Sequence, residues 1–167
     1  MSNLKVDLNS LKSLLPKAVI DFALDQNELN PPLQQTFDTV ALFADVSGFT
    51  KLSEALASKG PQGAEELAFF LNRYMEQLVR HIAKAGGDIF KFAGDAMLVL
   101  WIPDKSLSES DLIKELHIMA HRATQCSLSI QAEMNKAEFT KGVTLSVKIG
   151  IGYGKATVLH VGGVYGR

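Results

Sequence analysis

Two aspartates stand where a carboxylate can act on a ligand. Asp45 closes an apolar run, Thr39-Val-Ala-Leu-Phe-Ala-Asp-Val46, and Ser47-Gly48 and a segment of helical period follow it. A strand that ends where a helix begins puts a carboxylate beside backbone N–H groups without an intrahelical partner, a setting suited to a polyphosphate and its metal ion. Asp95 is the second residue of a Gly94-Asp95 break between two apolar, β-rich runs, 88–93 and 96–102, the signature of a hairpin. If strand and hairpin are neighbours in one sheet, the two carboxylates converge on one edge. Two hard oxygen ligands leave most coordination positions to water and substrate phosphates, the usual way Mg²⁺ is held. Two ions between such carboxylates and a triphosphate stabilise both the attacking and the departing oxygen. Taken singly, each residue has a plainer reading, Asp45 as a helix cap and Asp95 as a turn residue, and spacing alone favours it.

The surrounding segments must supply the elements that position these groups. Leucines at 4, 8, 11, 14 and 15 predict an amphipathic helix over 4–15 that stops before Pro16, and a second short helix over 17–25. Asn30-Pro31-Pro32 breaks the pattern, so a leader of residues 1–35 is expected to pack on a domain of residues 36–167. Residues 39–46 read as a buried strand and 49–58 as a helix. A longer helix is expected from Pro61 to about Ala85, closed by Gly86-Gly87 in a left-handed cap. Ser108-Glu-Ser-Asp111 fits a capping box and opens a helix expected to reach Lys136. Val143 to Ile151 alternates strictly and predicts a half-buried strand, with a glycine-punctuated strand, 155–161, expected to pair back on it. The order β–α–α–β–β–α–β–β implies an α+β fold of ferredoxin-like type, its long helices on one face of a mainly antiparallel sheet.

Composition narrows the function classes. The 167 residues carry a net charge of −1 and no basic run, against a nucleic-acid partner. Cys126 is the sole cysteine, which removes an internal disulfide and a cysteine-based zinc site. His117 and His121 have zinc-compatible spacing, but the run His-Ile-Met-Ala-His lacks the glutamate of a zincin helix. No stretch approaches the roughly 20 apolar residues that span a bilayer, and the start lacks the apolar core of a signal peptide, so a cytoplasmic protein is expected.

The motifs around the aspartates carry a resemblance. Phe43-Ala-Asp-Val-Ser-Gly-Phe-Thr50 resembles the first metal-binding motif of class III adenylyl and guanylyl cyclases, and Phe90-Lys-Phe-Ala-Gly-Asp-Ala-Met97 resembles the second. Lys148-Ile-Gly-Ile-Gly-Tyr-Gly154 is similar to a later strand of that family, and all three occur in family order across residues 36–163. The resemblance implies that Asp45, Asp95 and the Val46 carbonyl hold two Mg²⁺ or Mn²⁺ ions. It implies that the backbone of Val46, Ser47, Gly48, Phe49 and Thr50 holds phosphates, and that the ribose 3′-hydroxyl of ATP attacks the α-phosphorus and releases pyrophosphate. In homodimeric members the hairpin lysine, here Lys91, contacts adenine, whereas guanylyl cyclases typically carry Glu there. A cation donates to adenine N1 but not to the protonated N1 of guanine, so Lys91 favours ATP. The spellings Asp-Val-Ser-Gly-Phe-Thr and Lys-Phe-Ala-Gly-Asp, with Leu15-Pro16, most resemble the first catalytic half of bicarbonate-stimulated soluble adenylyl cyclases. There two unlike halves pair and the hairpin lysine helps bind bicarbonate, so adenine and bicarbonate both stand open as ligands of Lys91.

The family's transition-state Asn and Arg, and the residue completing adenine recognition, lie beyond the point matched by Val161 to Arg167. The domain therefore reads as incomplete at its C-terminus, needing a second cyclase domain to complete an interfacial site and expected to be inactive alone. Three other readings stand beside it: a regulatory half that binds nucleotide or bicarbonate without turnover, a guanylyl cyclase, and a palm-type polymerase. The Gly-Phe-Thr and Lys-Phe-Ala-Gly-Asp contexts argue against the last.

Overall fold

The computed structural model describes residues 15–25, 32–140 and 143–161. Its elements are α1 (Lys17–Asp25), β1 (Leu33–Ser47), α2 (Phe49–Ala57), α3 (Pro61–Lys84), β2 (Asp88–Ala93), β3 (Ala96–Trp101), α4 (Glu109–Met134), β4 (Ala137–Thr140) and β5 (Val143–His160). The five strands form one sheet in the order β2-β3-β1-β5-β4, with every pairing antiparallel. The α+β class and the ferredoxin-like arrangement are as the sequence implied. The helix expected over 4–15 lies outside the described residues, apart from its last position.

Alternation along β1 divides its side chains between two environments. Val40, Leu42, Ala44 and Val46 pack with Met97, Val99 and Trp101 of β3 and with Leu145 and Val147 of β5 against α2 and the two long helices α3 and α4. Leu52 and Leu56 of α2, Tyr74, Leu78 and Ile82 of α3, and Leu116, Ala123 and Ile130 of α4 complete this core. Ala41, Phe43, Asp45 and Ser47 point to the other face, where no long helix lies. At the far end of that face α1 takes over: the Phe22 ring stacks on His160 at 3.8 Å, and the ladder sets His160 opposite Leu33. The carboxylate of Asp88 accepts from the backbone N–H groups of Lys17 and Ala18 at 3.1 and 3.2 Å, and Lys105 pairs with Asp25. An anion against a helix N-terminus satisfies N–H groups that the helix itself cannot.

Two helix ends follow from their residues. Gly86 has φ 76°, its N–H donates to Ala83 O at 3.0 Å, and the Gly87 N–H donates to Ile82 O at 3.0 Å. This is a Schellman closure. Ser108 caps α4, its hydroxyl oxygen accepting from the Asp111 N–H at 3.3 Å.

Three expectations need correction. The strand pair 143–151 and 155–161 is one strand, β5, paired to β1 without a break from Ser146 to His160. β1 is 15 residues long, and a straight partner satisfies its backbone throughout, whereas a fold-back would leave half of it unpaired. The hairpin that does form there joins β5 to the short β4, a strand that the sequence pattern did not predict. Finally, α4 stops at Met134 rather than Lys136, because Asn135 is extended and Lys136 has φ 59°.

Burial pushes the Tyr74 phenol up from 10.0 to about 12. A raised folded-state value leaves stability intact below pH 10 and removes it as pH rises from 10 to 12, by on the order of 2–3 kcal/mol at the upper end. Urea unfolding at pH 9 and 11.5 should show this loss in the native chain, and Tyr74→Phe should remove that part of it. An equal loss in both would put the alkaline sensitivity elsewhere.

Candidate active site

β1 and β3 are neighbours, and their register sets Asp45 opposite Ala96. Asp95, the residue before Ala96, therefore stands one position along the chain from Asp45's cross-strand partner. It occupies the second position of the two-residue turn that joins β2 to β3, after Gly94 with φ 66°. Gly at the first position of a two-residue loop matches the twist of the flanking strands. Asp45 is half-buried on the face free of long helices, and Asp95 is exposed. Among the described residues neither carboxylate makes a hydrogen bond or ion pair with a protein group, so both are free to accept from or coordinate a ligand.

The turn after Asp45 is shaped for close approach. Gly48 has φ 110°, and a Cβ on it would lie 2.6 Å from the Thr144 carbonyl oxygen. Gly48 precedes α2, and no side chain caps that helix, so its first N–H groups are open to an anion. The expected phosphate-binding stretch, Val46 to Thr50, thus runs from the end of β1 into the first turn of α2. Val46 is buried in the core and Thr50 is exposed.

Lys91 lies one row away. It pairs with Leu98, which pairs with Phe43, which in turn pairs with Gly150 of β5. Lys91 is exposed and has no partner among the described residues. Phe43 is 46% exposed, an apolar ring on the open face. Across it, Gly150 and Gly152 present no side chain, and a Cβ at either would meet nothing within 4 Å.

Register also supplies a residue to which the sequence assigned no role. Lys148 sits directly opposite Asp45 on β5, and like Lys91 it is exposed and has no partner among the described residues. Strict alternation over 143–151 marked Lys148 as outward-facing, but only strand pairing puts it beside the aspartate. Its backbone is held from behind. β4 pairs with β5 only as far as Leu145. At Val147 side chains from the end of α4 and its C-cap take over, the Gln131 amide donating to Val147 O at 2.8 Å and Asn135 Oδ1 accepting from Val147 N at 3.3 Å. A solvated edge becomes a fixed one at the residue before Lys148.

The donor set around the aspartates is oxygen only. No group of three or more His, Cys, Asp or Glu side chains able to hold a metal occurs among the described residues. His117 and His121 are both exposed on α4, away from this site. Two carboxylates suit a hard divalent cation that shares its coordination with a substrate. No helix among the described residues is long and apolar enough to cross a membrane.

Comparison with known proteins identifies the family and the fold. Residues 33–166 match the family described as the adenylate and guanylate cyclase catalytic domain. Adenylate cyclase type 10 of Rattus norvegicus is 37% identical over 133 residues, which is 78% of this chain and 8% of that protein. The chain thus spans a small part of the curated relatives it matches. A bacterial light-regulated adenylyl cyclase shares the fold at a TM-score of 0.64 and 23% identity, over 94% of this chain and 42% of that one. The guanylyl cyclase Cya2 is similar at a TM-score of 0.53 and 28% identity, over 80% of this chain and 61% of that one.

Proposed function

The chain belongs to the adenylate and guanylate cyclase catalytic domain family, and from that premise we propose that it is the metal-bearing half of a cytoplasmic adenylyl cyclase. The observation that carries this reading is the ladder row Ala96, Asp45, Lys148, with Asp95 next to Ala96 in the turn, on a sheet face free of long helices. We assign residues 36–167 to the catalytic unit and residues 1–35 to a leader, whose described helix α1 docks against Asp88 and His160. A second cyclase domain, of the same or a different kind, covers the open face around Phe43, Gly150 and Gly152 and completes the site.

Asp45 and Asp95, with the Val46 carbonyl, would hold two Mg²⁺ or Mn²⁺ ions. Such ions, when bound, neutralise triphosphate charge and acidify the ribose 3′-hydroxyl. The chain's own groups do the rest. N–H groups from Ser47 to Thr50 fix the phosphates at the start of α2. Lys148 places a cation beside the same phosphates, where a charge-assisted hydrogen bond is stronger than a neutral one. Lys91 meets either adenine or bicarbonate, and its cation selects against guanine N1.

The test is Mn²⁺–ATP binding followed by paramagnetic broadening of NMR signals. Signals from residues 45–50 and 94–96 should broaden in the native chain and stay sharp in Asp45→Asn/Asp95→Asn. Lys148→Gln should weaken ATP binding about tenfold, the loss of one charge-assisted contact. Broadening that survives in the double variant would remove the metal assignment. ATP that binds and is never turned over, even with a competent partner domain, would identify a regulatory half instead. In the assembled enzyme, Lys91→Ala separates two roles: a raised KM for ATP marks an adenine contact, and lost bicarbonate stimulation at unchanged KM marks an anion contact.

A further inference from the structure

On the other side of the sheet, the outer surface of the helix layer carries a groove of about 250 Å³ between the C-terminal end of α3 and the middle of α4. Lys84 and His81 line it from the last turn of α3, and His121, Arg122, Ser129 and Glu133 line it from α4. His121 and Ser129 are eight residues apart, so they share one stripe along the helix. Ala85 and the buried Cys126 also line it, at the junction of the two helices.

The charge in this groove is unbalanced. Glu133 is the only carboxylate lining it, and His81 engages that group at 3.3 Å. Lys84, His121 and Arg122 have no hydrogen-bond or ion-pair partner among the described residues. Several other surface cations are paired with carboxylates, as in Lys17–Asp21, Lys59–Glu66, Arg80–Glu76 and Lys114–Asp111. A guanidinium and an ammonium lining one groove, neither of them paired with its carboxylate, attract an anion, and the guanidinium fork matches phosphate oxygens two at a time. The Ser129 hydroxyl adds a neutral donor.

Size limits the ligand. At roughly 30 Å³ per water, the groove holds about eight waters' worth of volume. That admits a phosphate with a small ester substituent and is too small to enclose a nucleoside triphosphate.

We propose that the α3–α4 groove binds a phosphate-type dianion, either free or as the monoester of a small molecule. The site is separate from Asp45 and Lys148, which lie on the opposite face of the sheet, and from the neighbouring Asp95 turn.

The experiment is an NMR titration of the whole chain with sodium phosphate, with sodium chloride at matched ionic strength as reference. Saturable shifts are expected at His121 and Ser129, with a Kd of about 1 mM, the scale of a small ligand held by a few charged contacts. Arg122→Gln and Lys84→Gln should each weaken binding about tenfold. Both residues are exposed, so neither change disturbs the core. Glu133→Gln should tighten binding severalfold, because it removes the one negative charge and frees His81, a gain that misfolding cannot mimic. Glycerol phosphate in place of phosphate separates the sources: tighter binding marks an ester ligand, equal binding the free ion. Shifts that match chloride, rise without saturation, or persist unchanged in Arg122→Gln would overturn the proposal.

Discussion

Asp45→Asn and Asp95→Asn are each expected to abolish cyclic AMP formation, by about 10³-fold or more, in an assembly of this chain with a complementary cyclase domain. The change removes one charge and keeps the shape. Charge stabilisation by bound ions contributes several kcal/mol to such a transition state, and each 1.4 kcal/mol is tenfold in rate. Stability should hardly move, because Asp45 is half-buried on the open face and Asp95 sits at an exposed turn, neither making a protein contact among the described residues. Surface changes of that kind stay within about 0.5 kcal/mol. Activity measured beside a thermal melt therefore decides the matter. Residual turnover within tenfold of native, or a loss that follows unfolding, would remove the aspartates from the site. The chain by itself should form no cyclic AMP, because its open face supplies one wall of the site. Turnover by the purified chain with Mn²⁺–ATP, lost in Asp95→Ala, would refute that.

Gly48→Ala should cost the fold about 2–6 kcal/mol. Two penalties add. At φ 110° a side chain is strained, by roughly 1–3 kcal/mol. The new methyl would also lie 2.6 Å from the Thr144 carbonyl and 3.2 Å from Leu145 Cδ2, so β5 or the turn must shift, at roughly 1–3 kcal/mol. Out of a typical 5–15 kcal/mol that is a large share. Gly94→Ala is the control: it too has positive φ, 66°, but a Cβ there meets nothing within 4 Å. Its cost should be about 1–2 kcal/mol. Denaturant midpoints for the two variants separate close approach from backbone strain. If Gly48→Ala is no worse than Gly94→Ala, the contact with β5 does not constrain the turn.

Much of the fold was legible because its signals are local. The apolar run into Asp45, the Gly94-Asp95 break, the Gly86-Gly87 stop and the Ser108 cap each declare an element or its end within a few residues, and each stands where expected. The misreadings share a cause. Glycines at 150, 152 and 154 resemble a place to turn, yet β1 offers a straight partner over the whole length, and that partner is more than 100 residues distant in sequence. β4 was missed because four residues beside a left-handed Lys136 carry little pattern of their own.

The site divides along the same line. Residue type and order by themselves determined that Asp45 and Asp95 are turn-flanking carboxylates in cyclase-like motifs, and that Lys91 faces outward. Tertiary structure alone decided that Asp45 pairs with Ala96, the neighbour of Asp95, that Lys148 stands directly across from Asp45, and that Gln131 and Asn135 hold the strand behind it. It also decided that Asp88, at the start of the strand carrying Lys91, grips the N-terminus of α1. The reason is physical: caps, turns and alternation depend on neighbours in the chain, whereas strand register and helix docking depend on which distant backbones exchange hydrogen bonds.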